Sequence, residues 1–94
     1  MKPKLFAAKA LGFTNAISNL SREERQGSPS QPFGEDYNRL LENIERNFEE
    51  IKDLLPPKAT FSSTHYGSKY TNEPYGEIYA FSEQLYQMLS ALDQ

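Results

Sequence analysis

Between Tyr37 and Leu55, the apolar residues Tyr37, Leu41, Ile44, Phe48, Ile51 and Leu55 succeed one another at spacings of 4, 3, 4, 3 and 4, and Pro56-Pro57 follows at once. That rhythm returns each apolar side chain to one side of an α-helix. In a strand it would scatter them over both faces. Leu40 and Leu54 widen the stripe to the breadth of a helix resting on a globular core. Glu35 and Asp36 stand where a first helical turn favours negative charge. Two consecutive prolines stop the helix, since neither offers an N–H and the first disfavours helical geometry at Leu55. The spacing predicts a helix over about 34–55.

The same period recurs twice. Phe6, Ala10, Phe13, Ile17 and Leu20 follow at 4, 3, 4 and 3, which predicts a helix over about 3–20 with Pro3 in its first turn. Gly12 and Thr14 weaken its middle. Ser21 and Glu24 match a capping box and predict a further short turn through Gln26. Gly27-Ser28-Pro29-Ser30-Gln31-Pro32 reads as a linker. Ile78, Phe81, Leu85, Met88 and Leu92 repeat at 3, 4, 3 and 4, with Tyr75, Tyr79, Tyr86 and Leu89 broadening the stripe. They predict a third helix over about 73–92, with Asn72 as its cap and Pro74 near its first position. The expected fold is all-α: three amphipathic helices in a small bundle, the second and third antiparallel and the first across them.

A chain of 94 residues is one domain, 1–94. Hydrophobic residues make up only 37%, so the core must lean on the 13% that are aromatic, and self-association as a homodimer or larger oligomer is expected to complete it. Charge is uneven. Residues 1–26 carry +3, residues 27–55 carry −4 and residues 56–94 carry −2. A basic first helix beside an acidic second one favours their mutual packing or antiparallel self-association.

Several chemistries lack their residues. With no cysteine there is no disulfide framework, thiolate metal site or cysteine nucleophile, which fits a reducing compartment, and a cytoplasmic protein is expected. No apolar run approaches the ~20 residues of a membrane span, and Lys9 interrupts the signal-like start. A carboxylate metal site in a bundle needs Glu-x-x-His facing inward, but the single histidine, His65, lies in a polar connection. Glu42, Glu45, Glu49, Glu50 and Asp53 interleave with Arg39, Arg46 and Lys52 off the apolar seam, as a solvated face does. Glu35–Arg39 and Glu42–Arg46 have the order for surface pairing. The glycines are scattered, so no phosphate loop is present, and the lysines at 2, 4 and 9 make a poor nucleic-acid stripe. No catalytic, cofactor-binding or metal-binding residue is assigned, no cofactor is expected, and the reading leans away from an enzyme.

Tyrosine placement stands apart. Tyr66-Gly67-Ser68-Lys69-Tyr70 and Tyr75-Gly76-Glu77-Ile78-Tyr79 repeat the pattern Tyr-Gly-x-x-Tyr nine residues apart. The first copy lies in the polar connection 58–72, beside Phe61 and His65. Tyrosine offers rigid amphipathic contact area at small entropic cost, so loop tyrosines among small polar residues mark recognition surfaces. The alternative is that these rings fold back and pin the connection to the bundle. The expectation is a small non-catalytic protein-interaction or assembly module with a protein partner, its contact candidates being Phe61, His65, Tyr66, Tyr70 and Tyr75. A second reading places a small-ligand or enzymatic pocket beneath 58–72, centred on His65. Circular dichroism should report a mainly helical protein with strand content below about a fifth.

Overall fold

The structure, a computed structural model, describes residues 2–93. Three α-helices lie at α1, Pro3–Ser18; α2, Gln31–Asn47; and α3, Tyr75–Leu92. Short 3-10 segments cover Glu24–Gln26 and Glu49–Leu54. Two three-residue strands, β1 at Phe61–Ser63 and β2 at Lys69–Thr71, pair antiparallel with Phe61 opposite Thr71, Ser62 opposite Tyr70 and Ser63 opposite Lys69. Helix dominates, and the fold is all-α in class with one small hairpin added.

The helix positions follow the apolar period, and three features depart from it. The first is the second helix, expected at 34–55. It begins earlier, at Gln31, because Pro32 sits in its first turn, where the missing N–H costs nothing. It also ends earlier. Asn47 turns its side-chain N–H back to the Asn43 carbonyl at 2.7 Å, and Phe48 leaves helical geometry at φ −134, ψ 74. The chain then restarts as the 3-10 segment with Glu49 and Glu50 in its first turn, where the helix dipole favours them. The break sets Phe48 edge-on against Phe6 of α1 at 5.5 Å between ring centroids.

The second departure is the packing. α1 and α3 form the dominant helix pair, not α2 and α3 as the sequence suggests. They run antiparallel: Arg25, just after α1, lies over the Tyr79 ring near the start of α3, whereas Lys4 and Ala8 share a surface groove with Ser90 and Asp93. The buried residues of α1, apart from Phe6, are Ala7, Ala10, Thr14 and Ile17, and those of α3 are Ile78, Ser82, Leu85 and Leu89. Small side chains at Ala7, Ala10 and Ser82 permit a close approach of the two helices. An apolar count overlooks Thr14 and Ser82, which is why the seams are rotated from the expected ones. Phe13 and Leu20 become half-buried flanks of the core. α2 packs Tyr37, Leu40, Leu41 and Ile44 into the core, with Tyr37 stacked on Phe81 of α3 at 6.4 Å.

The third departure is the 58–72 connection, which is a hairpin rather than a loop. Helix ends differ more modestly. α1 stops at Ser18 and α3 starts at Tyr75 with Pro74, not Asn72, at the cap position. The capping box forms as expected, with Glu24 N–H donating to Ser21 Oγ at 3.1 Å and Ser21 N–H to Glu24 Oε1 at 2.9 Å. Those bonds hold the Glu24 carboxyl below its usual pKa. The expected pairs on α2 are replaced by Arg39–Asp36 at 3.0 Å and Lys58–Glu42 at 3.4 Å, both exposed and each worth little, about 0–1 kcal/mol.

Phe48 is 6% exposed and holds the chain break against α1. Phe48→Ala should destabilise the protein by about 3–5 kcal/mol in urea unfolding.

Candidate interaction surfaces

The first turns of α2 make a seat for the hairpin. Gly34 is buried there, and a Cβ on it would overlap Thr71 Oγ1 and come within 2.8 Å of the Phe61 ring. Only a residue without a side chain lets the paired strands close onto the helix. One turn on, Asn38 grips the incoming chain at two points: Ala59 N–H donates to its Oδ1 at 2.7 Å, and its Nδ2 donates to the Ala59 carbonyl at 3.0 Å. The Tyr37 hydroxyl donates to the Pro57 carbonyl at 3.0 Å from a fully buried ring. Burial pushes that phenol's pKa well above its ordinary range, and the Glu73 carboxylate adds to the shift.

Polar side chains knot the base of the hairpin. Thr60 donates from its backbone N–H and its hydroxyl to the Glu73 carboxylate at 2.9 and 2.8 Å. Asn72 N–H donates to the Thr60 carbonyl at 2.8 Å, and Asn72 Nδ2 to Thr60 Oγ1 at 2.9 Å. On the outer side of β2, Thr71 N–H donates to the Pro29 carbonyl at 2.9 Å, and Ser30 forms a single bridge with Tyr70. The linker 27–32 is thus partly a third, one-residue strand.

The tip is a tight turn. Thr64 N–H donates to the Ser68 carbonyl at 2.6 Å and Gly67 N–H to the Thr64 carbonyl at 3.0 Å, enclosing His65 and Tyr66. Gly67 closes the turn at φ +87, which L side chains rarely adopt. This geometry aims His65 and Tyr66 outward, their rings edge-to-face at 5.6 Å. Tyr66 is 93% exposed.

The five contact candidates therefore separate. His65 and Tyr66 project at the tip, and Tyr70 is half-buried on β2. Phe61 packs on the core edge, and Tyr75 leaves the hairpin altogether, pairing with Phe33 at 5.3 Å at the start of α3. The repeated Tyr-Gly-x-x-Tyr pattern has two structures: a turn leading into a strand, and the first turn of a helix.

A second surface lies between α1 and α2. An apolar groove of about 460 Å³ is floored by Gly12, Phe13, Ala16, Phe33 and Leu40 and edged by Lys9, Asp36 and Arg39. The sequence reading missed it, because it assigned Phe13 to the core and Phe33 to no element. A polar groove among Glu42, Glu45, Arg46, Glu49 and Lys52 is the solvated face expected of α2. Neither groove includes His65 or any other residue of 58–72. No helix among the described residues is long and apolar enough to cross a membrane.

No protein-family model matches the chain, and no curated protein and no solved structure is significantly similar to it. What the surfaces can do rests on their own chemistry.

Gly34→Ala should unseat the hairpin. Overpacking costs about 1–3 kcal/mol, and the better helix propensity of alanine returns at most ~1 kcal/mol of it. Hydrogen exchange should quicken at the Thr71 and Asn72 amides before it does in the middle of α3.

Proposed function

We propose that the chain is a small non-catalytic protein-interaction module whose recognition element is the hairpin of β1 and β2. The observation that carries this is Tyr66, a large aromatic held 93% in solvent at the tip of a braced turn. The fold gains nothing from that placement, since the ring is almost wholly in solvent and its close aromatic neighbour is His65, itself exposed. The turn's hydrogen bonds fix the backbone that presents the ring, so little backbone freedom is left to lose on binding. The partner on this reading is a protein with a pocket for one aromatic ring. The absence of cysteine suits a reducing compartment such as the cytoplasm.

Self-association is a compatible part of the proposal. Leu11 and Tyr86 are exposed on one face of the α1–α3 pair, beside Ala8 and Lys4, and a second copy placed there would cover apolar surface that α2 does not reach.

Tyr66→Ser tests the recognition role. It leaves Tyr70 untouched, which matters because Tyr70 sits opposite Ser62 within the sheet. Partners cross-linked to the wild-type protein in native lysate should be lost from the variant, with helical content and Tm unchanged. Retention of the same partners at the same yield would remove the tip from the interface. Unfolding of the variant would make Tyr66 a structural residue.

A further inference from the structure

The groove between α1 and α2 has a feature that the packing of the chain does not account for. Gly12 lies mid-helix, where glycine is disfavoured by about 1 kcal/mol relative to alanine. Such a residue is expected where another group comes close, as Gly34 does beneath Thr71 and Phe61. At Gly12 a Cβ would meet nothing within 4 Å. Its bare backbone faces the groove instead, next to exposed Ala16.

The groove has the form of a helix seat. On α1 its lining falls at 9, 12, 13 and 16, and on α2 at 33, 36, 39, 40 and 43, one stripe along each helix. At ~1.5 Å per residue these stripes run for about 10 and 15 Å, the length of two to three helical turns. It is open to solvent along that length, so it cannot enclose a small molecule as ligand pockets do. A valley of this shape accepts the ridge of a third helix, with anchors at i, i+3 or i+4, and i+7. Gly12 and Ala16 leave room for the bulkiest anchor.

Charge selects the partner. Asp36 and Arg39 pair with each other at 3.0 Å and cancel. Lys9, which lines the groove, has no carboxylate partner among the described residues, and its Nζ rests 5.8 Å from the centre of the Phe6 ring. An uncompensated cation beside an apolar floor favours a carboxylate flanking the apolar anchors of the incoming helix. A second copy of the chain does not supply such a helix. Its own helices bury their apolar stripes, and its exposed large apolar residues, Leu5, Leu11, Leu54, Tyr66 and Tyr86, include no three at helical spacing. We propose that the α1–α2 groove, with Gly12 at its floor and Lys9 at its rim, is a docking site for an acidic amphipathic helix of another protein. This site is separate from the hairpin and does not depend on it.

The test is selection from a displayed library of 15-residue helical peptides, with apolar residues fixed at i, i+4 and i+7 and all other positions random. Binders to the wild-type chain should be enriched in Asp and Glu beside the anchors. They should lose at least tenfold in affinity to Gly12→Glu, a change built into open space that leaves the fold intact by circular dichroism. Tyr66→Ser should bind them as the wild type does. Selection against Lys9→Glu should shift the flanking preference to Lys and Arg. The proposal falls if no binder emerges, if binders tolerate Gly12→Glu, or if the flanks show no charge preference. It also falls if light scattering finds a wild-type dimer that Gly12→Glu turns into a monomer, since a second copy would then fill the groove.

Discussion

Asn38 is the residue on which the non-helical half of the molecule hangs. Its amide meets both backbone groups of Ala59, as a neighbouring strand would. The segment that leaves Pro56-Pro57 has no strand partner of its own at that point, and Asn38 supplies one from a helix. A buried backbone donor and acceptor left unpaired would each cost about 1–3 kcal/mol, so the grip matters more than two average hydrogen bonds. Tyr37 fixes the preceding carbonyl and Gly34 makes room for the strands that follow, all on one face of α2. Pro57, Ala59 and the strand pair at Phe61 and Thr71 all meet that face.

The helices were legible because their signal is local. Apolar residues at 3- and 4-residue spacing define a helix wherever they occur, and Pro3, Pro32 and Pro74 stand at or next to the helix starts. The partnership of the helices was not legible, since it turns on Ala7, Thr14 and Ser82, small or polar residues that the apolar count left out of the seams. The hairpin was missed for a related reason. Thr60-Phe61-Ser62-Ser63-Thr64 and Ser68-Lys69-Tyr70-Thr71 are weak strands taken alone, and they become strands only when Gly34, Asn38 and Pro29 hold them. Of the contact candidates, His65 and Tyr66 occupy the exposed tip, whereas Phe61, Tyr70 and Tyr75 are partly taken up by the fold. The sequence pattern that grouped them does not correspond to one surface.

The two candidate surfaces share a frame. Phe33 lines the groove and stands edge-on to both Phe13 of α1 and Tyr75 of α3, at 5.4 and 5.3 Å. Its neighbour Gly34 lies beneath the hairpin. The first turn of α2 thus forms part of the groove floor on one side and the hairpin seat on the other.

The antiparallel union of α1 and α3 has a consequence for how the chain acquires its structure. Residues 3–18 find their main partner in residues 75–92, across 56 intervening positions. Most small helical proteins fold through contacts between neighbours in sequence, and their speed reflects that. Here the central pairing closes a long loop before much of the core can form, and the entropy of that closure must be met by contacts that arrive together. During synthesis the first helix emerges well before its mate, and until α3 has been made the apolar face of α1 lacks the partner that covers it in the fold.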